Sequence, residues 1–210
     1  MQQERASPTM KEALIVIDVQ NDFCPGGALA VPDAEQILLP VNQLIERHRH
    51  VILTQDWHPA DHISFADNHP GKHSYQTILL TCGEQMLWPR HCIRDTQGAD
   101  FHPMLAAEQA ELILRKGCAP QRDSMSAFFE NDHKTATGLA AYLHERGLEK
   151  LVFCGLATDF CVALSAIDAV KCGFQAQVIL TACQPIDIDG SLDRALRDMR
   201  TTGVNLILSA

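Results

Sequence analysis

Six short runs rich in apolar and β-branched residues punctuate the chain: LIVIDV (14–19), VILTQ (51–55), ELILR (111–115), LVFCG (151–155), AQVIL (176–180) and VNLIL (204–208). Runs that are apolar on both faces suit strands covered on both sides, as parallel strands in α/β proteins are. Between them, segments near 34–48, 135–146, 160–172 and 190–202 carry the spaced apolar residues of helices, and Gly147, Gly173 and Gly203 stand where helix-ending glycines stand. The pattern predicts an α/β fold, a three-layer α/β/α sandwich with a central, mostly parallel six-stranded sheet. No repeat, linker composition or low-complexity tract divides it, so residues 12–210 are expected to form a single domain behind a flexible N-terminal end at 1–11. The stretch 56–110 breaks the alternation. It holds six of the ten histidines and both tryptophans with little periodicity, and long irregular segments in compact domains are usually functional.

Composition narrows the partners. A formal charge of -9 without a Lys/Arg cluster argues against a nucleic-acid or anionic-membrane partner and favours a small neutral substrate. No apolar run reaches the ~20 residues of a membrane span, and MQQERASPTM lacks the apolar core of a signal peptide, so a cytoplasmic protein is expected. The eight cysteines form no CxxC pair and read mainly as buried thiols.

In an open parallel sheet, ligands bind beyond the carboxyl ends of the strands, where side chains from several strands converge. Asp18 closes the first run, Asp56 and His58 follow the second, Lys116 follows the third and Cys161 follows the fourth. Each has an ordinary explanation alone: a turn cap, a solvated strand end, a core thiol. Together they place an acid, an amine, a thiol and a metal-type pair on one edge. A free thiol is only a few per cent ionised at neutral pH. Lys116 and the N-terminus of a helix starting near Asp159 are expected to favour the thiolate. Cys161 then reads as nucleophile, Asp18 as proton shuttle and Lys116 as electrostatic organiser. The turn GLATDFC offers backbone N–H groups for an oxyanion.

Asp56 and His58 are two apart, so in extended backbone they point to the same side. His91, in LWPRHC, is a third candidate ligand, leaving coordination positions open as catalytic metals do. Zinc, iron and manganese all suit oxygen and nitrogen ligands of this kind. His62 is a further candidate whose position depends on an unknown turn. His69 and His73 read as solvated loop residues.

IVIDVQNDFCPGGAL, TQDWHPADHISF, LWPRHC, RKG and GLATDFCV, in this order, resemble the nicotinamidases of the isochorismatase-like cysteine hydrolase superfamily over about residues 12–208. The D-W-H and W-P-x-H-C pair is the more specific part, since the opening and the cysteine turn recur in metal-free relatives. The resemblance implies hydrolysis of nicotinamide to nicotinate and ammonia through a cysteine thioester, a step of NAD salvage, with pyrazinamide as a second substrate. It implies a catalytic trio of Asp18, Lys116 and Cys161. One divalent ion, zinc first with iron or manganese as alternatives, would sit on Asp56, His58 and His91, with His62 joining in some members. It also implies oxyanion-hole amides from Ala157 and Cys161 across a non-proline cis bond at Leu156–Ala157. Phe23 and Trp88 would flank the substrate ring, and a homo-oligomer is one expected state. Asp123 and Ser126 match positions near the substrate without a chemical role, and Asp22 reads equally as a loop brace. The rivals are a metal-free cysteine amidase on the same scaffold and a non-catalytic α/β binding module. A nucleotide-binding fold is disfavoured because no G-x-G-x-x-G or P-loop pattern follows a strand.

Overall fold

Strands β1 (Glu12–Ile17), β2 (Val51–Asp56) and β6 (Lys150–Leu156) are buried almost without interruption, which only strands covered on both faces can be. They form the centre of a six-stranded sheet in a computed structural model that describes residues 11–80 and 83–208. The sheet runs in the order β5-β2-β1-β6-β7-β8, with β5 at Leu112–Lys116, β7 at Gln175–Gln184 and β8 at Asn205–Ile207, and every neighbouring pair is parallel. The predicted sheet was mostly parallel; the observed one is wholly so. ELILR is an edge strand, and its alternating exposure, with Ile113 at 47%, follows from that position. The expected N-terminal end at 1–11 lies outside the described residues except for Lys11.

Among the described residues four α-helices connect the strands: α1 (Leu38–Arg47), α2 (Leu139–Glu145), α3 (Ala163–Lys171) and α4 (Ser191–Thr202). α1 packs on β1 and β7, while α3 and α4 pack on each other and on β7 and β8. From β1 the chain winds outward through β2 to β5, then returns to β6 and winds the other way. Right-handed crossovers in opposite directions put helices on opposite faces. Gly147, Gly173 and Gly203 all take positive φ at the ends of α2, α3 and α4, as their spacing predicts. Gly155, the last residue but one of β6, has a different reason. A Cβ there would stand 2.1 Å from the Ile17 carbonyl oxygen, so only glycine lets β1 and β6 pair this closely.

The segment 56–110 is mostly irregular, but it contains an antiparallel pair that the sequence reading did not foresee, β3 (Thr77–Leu80) with β4 (Gly83–Met86). Its pattern escapes detection because of its eight strand residues only Gln85 is buried, so no apolar alternation marks it. Among the described residues no helix is long and apolar enough to cross a membrane. Cys24, Cys92, Cys154 and Cys183 are buried, and the seven described cysteines are all unpaired.

Candidate active site

The switch in winding direction falls between β1 and β6, and the crevice beyond their carboxyl ends is where an open α/β sheet collects its functional groups. Asp18 directly follows β1 with a left-handed φ of 49°, Asp56 ends β2, Lys116 ends β5, and Cys161 lies just beyond β6. Asp56 and Lys116 are partners in the β2–β5 register, so both side chains emerge on the same side of adjacent strands. The four groups expected on one edge do meet there.

Lys116 is their centre. Its Nζ stands 2.9 Å from Asp18 Oδ2, 2.5 Å from Asp56 Oδ1, 3.0 Å from the Ser124 carbonyl oxygen and 3.5 Å from Cys161 Sγ. Burial pulls the ammonium's pKa down, but the Asp18 and Asp56 carboxylates outweigh it and hold Lys116 well above its usual range. Burial likewise raises Asp56, and there Lys116 and His58 prevail and keep the carboxyl well below the usual range. Asp18 goes the other way. Burial, reinforced by Asp56, exceeds the pull of Lys116 and lifts its pKa to about 6. Thr54 Oγ1 donates to Asp18 Oδ1 at 2.6 Å, whereas Oδ2 is buried without a well-directed hydrogen bond despite its nearness to Nζ. An oxygen so placed, with its carboxyl tuned toward neutrality, is suited to receive and return a proton. One oxygen of each of Asp18 and Asp56 and the Cys161 sulfur lie within 4.8 Å of one another.

Lys116 favours the Cys161 thiolate, as expected, but does not prevail. Burial drives its pKa well above the ordinary range, and Asp18 and Asp56 add to burial while Lys116 only opposes it. The thiol is therefore the resting form, and a base must take its proton as it reacts. The helix expected to begin near Asp159 also differs in kind: Thr158–Val162 is a single π-type turn that leads into α3. The amides of Phe160 and Val162, on either side of Cys161, both donate to the Ala157 carbonyl, and such wide turns recur at functional sites. The Leu156–Ala157 peptide bond is cis. Asp159 braces this turn from behind, accepting from the Ile186 and Asp187 amides at 3.0 and 2.8 Å and from the Ser191 hydroxyl.

Beside the trio lies a buried Asp56, His58 and His91 cluster whose ligand atoms are within 4.8 Å of one another. His58 Nδ1 is held by the Gly117 carbonyl at 2.9 Å and His91 Nδ1 by the Pro89 carbonyl at 2.8 Å. Each ring therefore carries its proton on Nδ1 and turns the other nitrogen inward, and both Nε2 atoms face Asp56 Oδ2, at 3.7 and 3.9 Å. A carbonyl on the far nitrogen is how ligating histidines are commonly oriented. Burial and His58 also lower the His91 pKa to about 4, so its Nε2 lone pair is free near neutrality. These groups could hold a divalent cation, with Asp56 Oδ2 toward the two histidines and Oδ1 on Lys116. The two histidines are brought together by a short parallel bridge between His58 and Ile93, with the His58 amide donating to the Cys92 carbonyl. The His62 ring lies tilted 4.2 Å from His58, with Nδ1 on Ser64 Oγ and Nε2 on the Arg122 carbonyl, and together with His58 and Asp123 it forms a second group whose ligand atoms lie within 4.8 Å of one another.

The pocket over these groups is lined by Phe23, Trp88, Phe160, Met125, Leu29 and Ile186, with Asp56, His58, His91, Ala157 and Cys161 on its floor. Phe23 and Trp88 both reach it, as expected. Phe160, edge-on to Trp88 at 5.0 Å, was not anticipated, although its place beside Cys161 was the available signal. Thr54 was equally legible, being two residues before Asp56 on a strand and so on the same face. Ser124 and Met125 had no such signal, because their loop has no period. Gln20 joins the frame through its side chain, exchanging hydrogen bonds with the Asp56 backbone. Asp22 is a loop brace: its carboxylate accepts from the Cys92 amide at 2.7 Å and the Ala28 amide at 3.2 Å. His69 is half-buried and bonded to the Ile63 carbonyl, whereas His73 is exposed as expected.

Known proteins agree with this architecture. A nicotinamidase of Acinetobacter baylyi is 53% identical over 197 residues, spanning 94% of this chain and 92% of that protein. Among solved structures, a nicotinamidase/pyrazinamidase of Acinetobacter baumanii superposes with a TM-score of 0.93 at 53% identity, covering 96% of this chain and 97% of its own. The pyrazinamidase of Pyrococcus horikoshii in complex with zinc superposes with a TM-score of 0.76 at 34% identity, covering 94% and 98%. The model of the isochorismatase domain matches residues 12–210, so this chain belongs to the isochorismatase family.

Proposed function

We propose that this protein is a metal-dependent amidohydrolase that converts nicotinamide to nicotinate and ammonia and also accepts pyrazinamide. The observation that carries the reading is the meeting of Asp18, Lys116 and Cys161 beside the Asp56, His58 and His91 cluster, under a pocket walled by aromatic side chains. A flat, neutral heteroaromatic amide suits such walls. The nicotinamidase 53% identical to this chain supports the substrate, and the zinc in the pyrococcal relative supports zinc over iron or manganese. The reading takes residues 12–210 as one domain, supported by the span of the family match, and a cytoplasmic enzyme with no nucleic-acid or membrane partner.

In the proposed cycle Phe23 and Trp88 hold the ring, while Asp56, His58 and His91 would hold a divalent cation, which would supply a Lewis-acid anchor for the heterocycle. Asp18 takes the thiol proton as Cys161 Sγ bonds to the carboxamide carbon. The amides of Ala157 and Cys161 donate to the developing oxyanion. Asp18 returns its proton to the nitrogen, the C–N bond breaks and ammonia leaves a thioester. Water then gives a proton to Asp18 and its oxygen to the acyl carbon, and Cys161 departs with the proton back on sulfur. Lys116 stays charged throughout, balancing whichever carboxylate or thiolate is ionised.

Ammonia release from nicotinamide by the purified protein, before and after chelator treatment, tests this reading. Turnover that is lost with the metal and regained on adding it back is expected. Turnover indifferent to chelation points instead to a metal-free cysteine amidase, and no turnover with an unreactive Cys161 to a binding module.

A further inference from the structure

Gln85 is 2% exposed on a hairpin whose other described strand residues are all at least partly exposed, and a buried glutamine at such a place needs a use. Its Nε2 donates to Asp123 Oδ2 at 2.8 Å and to the Met86 carbonyl at 2.8 Å, and its Oε1 accepts from Asn131 Nδ2 at 3.4 Å. Asp123 and Asn131 both belong to the loop that follows β5. Asp123 is itself buried, at 5% exposure, and its other oxygen accepts the Ser124 amide at 2.8 Å. Asn131 accepts the Met125 amide at 3.1 Å and donates its own amide to the Asp123 carbonyl at 2.8 Å. One side chain from β4 thus fixes both ends of a clasp around Asp123, Ser124 and Met125.

That short stretch does two things for the site. The Ser124 carbonyl is the only backbone acceptor on Lys116 Nζ among the described residues, and it helps to set the direction of an ammonium whose other neighbours are Asp18, Asp56 and Cys161. Met125 forms part of the pocket wall. We infer that Gln85 is a positioning residue for the reaction: through Asp123 and Asn131 it holds Ser124 against Lys116 and Met125 against the substrate, so that the β3–β4 hairpin is a working part of the active site. The effect on turnover rests on the amidase reading above, while the clasp itself does not.

The test compares Gln85→Met, Asn131→Ala and the double variant with the parent, and adds Leu79→Ala on the exposed side of the hairpin as a control. Gln85→Met is expected to lower kcat/KM for nicotinamide about tenfold, or ~1.4 kcal/mol of transition-state stabilisation, with a raised KM and unchanged metal content. Asn131→Ala should act alike, and the double variant should lose little more than the worse single, because both break one clasp. Leu79→Ala should match the parent. Amide hydrogen exchange should quicken across residues 123–131 in Gln85→Met. Gln85→Met kinetics within twofold of the parent, or fully additive losses, would overturn the inference and leave the amidase reading intact. Absence of turnover in the parent would sink that reading instead, and exchange across 123–131 then decides the clasp: faster in the variant supports it, unchanged overturns it.

Discussion

Lys116 and Cys161 sit 3.5 Å apart, yet replacing them should affect the folded protein in opposite ways. Cys161 is half-buried and touches a network that stays balanced without it. Cys161→Ala should therefore unfold in urea close to the parent midpoint while losing at least ~10³ in turnover, as loss of a nucleophile does. Substantial remaining amidase activity would remove Cys161 from its assigned role. Lys116 is the sole lysine or arginine in contact with Asp18 and Asp56 among the described residues, and both carboxylates are buried. Lys116→Met strands two buried anions, and breaking a buried pair in this way costs about 3–5 kcal/mol. Urea denaturation should show that loss alongside abolished turnover; a variant as stable as the parent would mean that Lys116 does not hold the pair together. The meeting of these groups was readable from residue type and place because side chains at strand ends converge as the topology directs. The thiol's protonation state was not, since it depends on how far burial outweighs one nearby ammonium.

Connecting segments set the precision of the metal cluster. Gly117 follows β5 with φ +63°, and its carbonyl holds His58 Nδ1. A Cβ on Gly117 would stand 2.3 Å from His58 Cε1 and 2.5 Å from Nδ1, in a backbone conformation that already disfavours any other residue. Gly117→Ala should push the imidazole off its acceptor and weaken metal binding 10–100-fold, the usual effect of losing a ligand's orienting partner. Titration against a chelating dye reads this directly, and an unchanged affinity would show that His58 is not a ligand. The sequence displayed the six strands and four helices because burial on two faces or one stripe leaves a period in the residues. It could not display β3 and β4, where the buried member is a glutamine, or the π-type turn at Thr158–Val162, whose width follows from how Ala157 is shared by two amides. For the same reason the place of His62, whose ring nitrogens reach Ser64 and the Arg122 carbonyl, depended on a turn that leaves no period in the residues.

A cation on Asp56, His58 and His91 would join the end of β2 to the segment that returns after β4, two parts of the chain otherwise linked there by the His58–Ile93 bridge and a few backbone hydrogen bonds. An ion that binds the folded chain and not the unfolded one stabilises it by RT ln(1 + [L]/Kd), about 2.7 kcal/mol at a hundredfold excess over Kd. A chain of this length gains roughly 2–4 °C in Tm per kcal/mol. Adding zinc to chelator-treated protein should therefore raise Tm by about 5–11 °C, with binding by unfolded histidines and cysteines trimming the gain. Asp56→Asn should be less stable from the outset, because Lys116 loses a carboxylate, and should respond weakly to zinc. Calorimetry of the parent and Asp56→Asn, each with and without added metal, separates the two contributions. A parent Tm indifferent to both chelator and zinc would mean that the triad is a hydrogen-bonded part of the frame, and the orientation of both Nε2 atoms toward Asp56 would then need another cause.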